Sequence, residues 1–151
     1  RQRQMCIRDR QQLMTAIVQA IVGAMRRDPK RPDAEVGLKT PSIHSDLLWT
    51  LHSNNNIAEA LRRFGVSRTT RTLILVRVAP PLDAGELVQH MTQLVDGTLQ
   101  TRGLSLPSPA LAWSELGTAY KIQDTPAFQH PDTSQVDALI CSMVASKYVG
   151  A

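Results

Sequence analysis

Three consecutive asparagines are the residues of this sequence whose type and spacing best indicate a binding site. Asn54, Asn55 and Asn56 directly precede a segment of helical spacing that carries Arg62 and Arg63 side by side. Exposed amides at the start of a helix, with basic side chains nearby, can hold a phosphate or an unpaired nucleotide. The candidates for such a site are Lys39, Asn54, Asn55, Asn56, Arg62 and Arg63. The alternative, a solvated basic face beside a capped turn, is favoured by the sequence alone.

Asn56 also has a purely structural explanation. Asparagine is a preferred N-cap, and Glu59 follows three residues later, which predicts a reciprocal capping box. Gly65 then predicts a left-handed stop at the end of the same helix. Asn54 and Asn55 are not needed by this cap, so they are the more informative pair.

Signatures of catalysis are absent from the sequence. It contains no Gly-rich phosphate loop followed by Lys-Ser or Lys-Thr, and no Gly-x-Ser-x-Gly elbow. The four histidines lack metal-ligand spacing, and the two cysteines do not form a disulfide framework. We therefore predict a non-catalytic binding protein without cofactor or metal. The alternative, a small enzyme, would require a pocket with converging titratable groups.

The basic character of the chain comes mainly from its first ten residues, RQRQMCIRDR. They hold four of the 17 basic and one of the 13 acidic residues, so the net charge falls from +4 to +1 without them. The stretch Met5 to Asp9 back-translates to a sequence that resembles the transposase end of sequencing libraries. We interpret residues 1–10 as an assembly scar and residues 11–151 as one domain. Overall charge therefore gives no support to nucleic-acid binding, and no apolar run approaches the length of a membrane span.

The elements that must position the asparagines are mostly predicted as helices. Apolar residues recur at helical spacing over 11–25, in a short helix after Thr40-Pro41, over 57–64, after Asp83 and after Ser134. The predicted N-caps are Thr40, Asp83 and Ser134, and Ser114 is predicted to cap a further short helix that ends at Tyr120. Residues 72–78, TLILVRV, form a continuous apolar run that predicts a strand buried on both faces, and a weaker strand is predicted over 98–106. The expected class is α/β (α+β), with a small central mixed sheet flanked by several helices.

The segment LKTPSIHSDLLWTLHSNNNIAEALRRFG, residues 38–65, resembles the PRPK-binding protein (TPRKB-like) family, the small kinase-associated subunit of the KEOPS/EKC complex. The resemblance continues at LILVRV (73–78), ELGTAYKI (115–122) and DALICSM (137–143). Family members begin with strands and a helix ahead of the segment aligned with residues 11–25. The resemblance therefore implies that this chain is truncated at its N-terminus and that its sheet lacks strands.

The resemblance implies a supporting role in tRNA modification. KEOPS makes threonylcarbamoyladenosine next to the anticodon of tRNAs that read ANN codons, and another subunit performs the transfer. The small subunit binds the kinase-like subunit, contacts the transferase only indirectly, and is implicated in engaging the tRNA 3′ CCA end. In some fungi it is linked to telomere maintenance. Location in the nucleus and cytoplasm is expected, without a membrane partner.

The resemblance also implies a kinase-docking surface on the last helix. Its apolar stripe alone predicts a core helix, because a single stripe normally packs inward, whereas methionine suits an adaptable protein contact. The kinase-interface candidates are Leu139, Ile140, Met143 and Val144. The alternative function is a generic RNA-binding or scaffold protein outside KEOPS. Two each of Trp, Tyr and Phe, and the corrected charge of +1, argue against the RNA-binding alternative.

Overall fold

The computed structural model describes residues 7, 9–26, 37–80, 83–99, 109–129 and 133–149, with the side chains of 109–112 excepted. Its helices are α1 (Arg10–Met25), α2 (Ile43–Leu51), α3 (Ile57–Phe64), α4 (Ala84–Gln93), α5 (Pro109–Tyr120), α6 (Pro126–Gln129) and α7 (Thr133–Ala145). None of these described residues belongs to a β-strand. The predicted α/β class with a central sheet is therefore wrong, and the described part of the chain is all-helical.

The predicted strand over 72–78 is an irregular segment. Ile74 and Val76 pack against the core, whereas Leu75 between them is 40% exposed. The backbone amide of Val78 donates to Nε2 of His44 at 3.2 Å. An apolar run predicts burial but does not supply the neighbouring backbone that a strand requires. Of the second predicted strand, Thr98 and Leu99 are irregular, and residues 100–106 lie outside the described ranges.

The core forms where α1 contacts both α2 and α7. Small side chains on α1, Ala16 and Ala20, are fully buried and let the neighbouring helices approach closely. At Gly23, an added Cβ would overlap the hydroxyl of Tyr148, so glycine is needed for this tyrosine to pack against α1. The buried cluster is completed by residues from every helix except α4 and α6, among them Leu47, Leu51, Phe64, Leu116, Tyr120, Val136, Ile140 and Val144.

A buried hydrogen-bond chain ties α1, α5 and the end of α2 together. Nε2 of Gln12 donates to the hydroxyl of Tyr120 at 2.6 Å, and that hydroxyl donates to the carbonyl oxygen of Leu51 at 2.7 Å. Each of these polar groups is buried and satisfied, which fixes the end of α2 relative to the two helices. The loop that follows α2 therefore starts from a rigid point.

Helix starts were predicted with mixed success. Asp83 caps α4 through the amides of Gly85 and Glu86, as predicted. The cap of α2 is Ser42 and not Thr40, which is buried and donates its hydroxyl to the carbonyl oxygen of Ser42. Ser114 lies inside α5 instead of starting it. Caps chosen from residue type alone are thus displaced where a nearby hydroxyl competes for the same position.

Two further observations concern the ends and surfaces of the described region. Ile7 lies within the ten residues interpreted as a scar, yet its side chain is 4% exposed and belongs to the core. The origin of that segment stays a prediction.

Among the described residues, no helix combines the length and apolar character needed to cross a bilayer.

Candidate functional site

The three asparagines lie in a short loop between α2 and α3, and we call residues 52–56 the Asn loop. Oδ1 of Asn56 accepts the backbone amide of Glu59 at 3.1 Å, which confirms Asn56 as the N-cap of α3. The prediction that the Glu59 carboxylate accepts the backbone amide of Asn56 is wrong. The amide of Asn56 donates instead to Oδ1 of Asn54 at 2.9 Å, and Glu59 pairs with Arg62 at 3.0 Å. The hydrogen bond from Arg62 is the main reason that the pKa of Glu59 is lowered.

Gly65 ends α3 without the predicted left-handed conformation. Its φ and ψ are −76° and 166°, in the extended region. An added Cβ would nevertheless overlap the carbonyl oxygen of Leu61, which accepts the Gly65 amide. The glycine is therefore explained by close backbone approach instead of by a positive φ.

The Asn loop is anchored on the elements beneath it. The amide of Asn54 donates to Nδ1 of His52 at 3.1 Å, and Nε1 of Trp49 donates to the carbonyl oxygen of Asn55 at 3.3 Å. The hydroxyl of Ser53 donates to the carbonyl oxygen of Ala119 in α5. These bonds leave the asparagine side chains at the surface of an otherwise fixed loop.

Lys147, just beyond α7, reaches the same loop from the far end of the sequence. Its side chain is 9% exposed, and Nζ donates to the carbonyl oxygens of His52 at 2.9 Å and Asn54 at 2.7 Å. Nζ also lies 4.7 Å from the ring centroid of Trp49, and that ring meets Tyr148 edge-on at 5.5 Å. Burial lowers the pKa of Lys147 to about 8. Two carbonyls and an indole face thus surround the ammonium group.

A cavity of about 410 Å³ opens between the Asn loop and the C-terminal end of α7. It brings Asn54 and Asn55 together with Met143 and Val144, which the sequence separates by about ninety positions. Hydroxyl, amide and apolar groups all face this space. Its lining comprises Thr50, His52, Ser53, Asn54, Asn55, Tyr120, Met143, Val144, Ser146 and Lys147.

The other nucleotide-site candidates lie apart from the cavity. Lys39 is exposed, and its backbone amide donates to Oδ1 of Asp46 at 2.9 Å. Arg62 is exposed on α3 and paired with Glu59, whereas Arg63 is half-buried. Asn56 is occupied as the cap. The structure therefore separates a polar cavity from a basic helix face.

The kinase-interface candidates divide into two pairs. Ile140 and Val144 are 1% and 2% exposed and belong to the core. Leu139 and Met143 are half-buried and pack against the edge of that core. Only the half-buried pair leaves surface for a partner. Assignment of any of the four to a kinase contact stays a prediction.

The titratable groups of the cavity each make at least one hydrogen bond, although Nε2 of His52 is buried and has no hydrogen-bond partner among the described residues. His52 accepts the Asn54 amide at Nδ1, and its pKa is lowered by burial and then by the positive charge of Arg63. The Tyr120 hydroxyl bonds to Leu51, and Lys147 bonds to two carbonyls. Across the described residues, no group of three His, Cys, Asp or Glu could hold a metal ion. The cavity therefore offers hydrogen-bonding groups beside apolar ones.

The sequence did not predict the role of Lys147. Its pattern indicates only that the lysine belongs to the last helical stretch. The spacing of the sequence nevertheless contained an indication, because Lys147 continues the helical stripe formed by Ile140 and Val144. A charged residue that continues a buried stripe requires buried acceptors, which could have identified it as a site residue.

The comparison with known proteins points to one family. A profile described as "Kinase binding protein CGI-121" matches residues 4–148. The EKC/KEOPS complex subunit CGI121 of Gibberella zeae is 39% identical over 67 residues, covering 40% of this chain and 34% of that protein. The corresponding subunit of Cryptococcus neoformans var. neoformans is 31% identical over 113 residues, covering 74% and 48%. The chain spans about a third of the length of the curated relatives from Gibberella zeae and Aspergillus terreus that it matches, and no solved structure matches it.

The profile covers both walls of the cavity, the Asn loop and the end of α7. It thereby confirms the family resemblance that the Asn-rich motif indicated. The chain belongs to the CGI-121 family of kinase-binding proteins.

Proposed function

We propose that this chain is a non-catalytic subunit of an EKC/KEOPS complex and that it binds the kinase subunit of that complex. The observation that carries the proposal is the match of a kinase-binding family over residues 4–148, which includes the whole described site. Relatives in several fungi carry the name of an EKC/KEOPS subunit, which supports the same assignment.

The end of α7 is the surface that we assign to the kinase. Met143 lines the cavity and is half-buried, so its flexible side chain can pack against an incoming apolar group. Leu139 lies one helical turn earlier and shares this exposure. Ile140 and Val144 support the surface from the core and do not themselves form it.

Met143→Asp is expected to abolish co-purification with the kinase subunit. A carboxylate at the centre of a small apolar contact would lose its hydration without a partner, which costs several kcal/mol (about 2–4) of binding free energy. The measurement is a pull-down of the kinase subunit by the tagged chain, with circular dichroism to verify helix content. Met14→Asp, at an exposed methionine of α1, is the matched control and should co-purify normally. Retention of the kinase by folded Met143→Asp would contradict the assignment.

The finer part of the proposal is support of tRNA threonylcarbamoyladenosine formation through contact with the tRNA 3′ CCA end. Asn54 and Asn55 line a cavity that has the polar and apolar groups an unpaired nucleotide requires. Arg62 is exposed on α3, outside the cavity, and can attract the phosphate backbone. Indirect association with the transferase subunit, a telomeric role and location in the nucleus and cytoplasm remain predictions.

Charge reversal at Arg62 and Arg63 is expected to lower tRNA affinity about tenfold and to reduce the salt slope by about one for each phosphate that is no longer neutralised. The measurement is a salt series of tRNA binding with intact tRNA and with tRNA whose CCA end has been removed. Arg68→Glu, at an exposed arginine beyond α3, is the control for general charge. Equal binding of intact and trimmed tRNA by the wild type would remove the 3′-end interpretation.

A further inference from the structure

Lys147 makes an unusual contact for a lysine, because its ammonium group is held by the backbone of a distant loop. Both acceptors are carbonyl oxygens of the Asn loop, those of His52 and Asn54, at 2.9 and 2.7 Å. The indole of Trp49 covers the same ammonium group at 4.7 Å. These contacts link residues 93 and 95 positions apart and account for the burial of the charge.

Hydrogen bonds to the backbone of the Asn loop restrict the positions of the asparagine side chains. The backbone carbonyl oxygen of Asn54 accepts from Lys147, and its backbone amide donates to His52. Its side-chain Oδ1 accepts from the backbone amide of Asn56. With the main chain of Asn54 fixed on both sides, its side chain has little freedom of position. The next residue, Asn55, is fixed at its carbonyl oxygen by the Trp49 indole.

We infer that Lys147 is a positioning residue that fixes the Asn loop against the C-terminal end of α7, so that Asn54, Asn55 and Met143 are held around one cavity. A ligand at the loop and a partner on α7 are then energetically coupled through this lysine. For the identity of the ligand and the partner, this inference rests on the proposed function. The fixing of the loop does not.

The protonation of Lys147 gives the contact a measurable signature. The ammonium form predominates at pH 7, because burial lowers the pKa only to about 8, and the charge is lost as the pH rises further. Hydrogen bonds from a charged donor are about twice as strong as neutral ones, so the loop is held more weakly above pH 8. The surrounding elements carry further charged and titratable groups, on the helices or directly after them. These are Arg10 and Arg26 of α1, His44, Asp46 and His52 of α2, Glu59, Arg62 and Arg63 of α3, Glu115, Tyr120 and Lys121 of α5, and Asp137, Cys141 and Tyr148 of the C-terminal segment.

Neither His52 nor Cys141 is expected to titrate near pH 8, because burial moves the pKa of each group away from that value. The pKa of His52 is lowered from its ordinary value of 6.5, and the pKa of Cys141 is raised above 9.0, both chiefly by burial. A transition near pH 8 is therefore assigned to Lys147.

The first test follows the fluorescence of Trp49 in Trp113→Phe protein, which leaves a single tryptophan. This indole contacts both the ammonium group and the loop carbonyl of Asn55, so its emission reports the contact itself. We expect a transition with its midpoint near pH 8 in Trp113→Phe and a flat profile from pH 7 to 9 in Trp113→Phe/Lys147→Met, a range that ends below the ordinary tyrosine pKa of about 10. A flat profile in Trp113→Phe, or the same transition in the double variant, would overturn the inference. The Trp113→Phe profile alone decides the matter if the methionine variant does not fold.

The second test measures binding of a single-stranded RNA that ends in CCA. Loss of two hydrogen bonds from a charged donor is expected to weaken binding by Lys147→Met about tenfold or more. Because a positioning lysine does not touch phosphate, the slope of affinity against salt concentration should stay unchanged. Unchanged affinity, or a slope reduced by about one, would contradict the positioning role. If the wild type binds no such RNA, the tRNA part of the proposed function fails, and the fluorescence profile still decides the inference.

Discussion

The side chains of Asn54 and Asn56 accept the two backbone amides at the start of α3 that a capping residue and a glutamate usually accept. Asn56 accepts the Glu59 amide, and Asn54 accepts the Asn56 amide. Glu59 is thereby released to pair with Arg62 on the exposed face of α3. Of the three asparagines, Asn55 is the one whose side chain takes no part in these capping bonds while it lines the cavity. Its side chain is thus the best single-residue probe of ligand binding.

Asn56→Ala is expected to lower the free energy of unfolding by about 1 kcal/mol, the usual cost of losing an N-cap side chain. Asn55→Ala is expected to change it by less than about 0.5 kcal/mol, the range for surface substitutions without a structural role. Thermal or denaturant unfolding of both variants provides the measurement. Equal losses at the two positions would show that Asn55 also supports the loop.

At the scale of elements, helices with a strong internal pattern were predicted well. α1, α3, α4 and α7 lie where their apolar spacing indicated, and the caps predicted for α3 and α4 are confirmed, because both signals are local. Ser134, the predicted cap of the last helix, lies inside α7. The Asn loop was likewise located correctly, and its N-cap was identified from residue types alone. Local patterns could not indicate which segment packs against each apolar face.

The segment 72–78 and α4 illustrate that limit. The apolar run predicted a strand, but pairing depends on a second segment that the run itself does not specify. α4 has an apolar face in its sequence, yet it has no buried residue, and Val88 and Leu94 are 51% and 75% exposed. Trp49 shows the reverse. Its indole is buried beneath Lys147 and Tyr148, contacts that the local sequence pattern does not indicate.

Substitutions on α4 and α2 should therefore differ sharply in cost. Val88→Ala removes apolar atoms from an exposed site, and we expect a change of less than about 0.5 kcal/mol in the free energy of unfolding. Leu51→Ala removes a fully buried side chain, and we expect a loss of about 2–5 kcal/mol. Urea unfolding of the two variants provides the comparison. A large loss for Val88→Ala would mean that α4 packs more closely than the structure indicates.

At the scale of the molecule, the site depends on helices that are distant in sequence. The Asn loop is set by α2, α3 and α5, and the opposite wall of the cavity is set by α7 packed on α1. The sequence indicated each wall separately, through the asparagines and through the apolar stripe. It could not place them side by side, since that juxtaposition results from the tertiary packing of α1 with both α2 and α7.

The long reach of Lys147 also has a consequence for how the chain folds. Contacts between residues far apart in sequence form late, because the entropy of closing the intervening chain must first be overcome. The bond from Lys147 to Asn54 encloses 93 positions, so we expect the cavity to be among the last features to form. A partly folded or partly synthesised chain would lack it. Recognition of this cavity by a partner would consequently select fully folded molecules, which makes assembly itself a quality-control step.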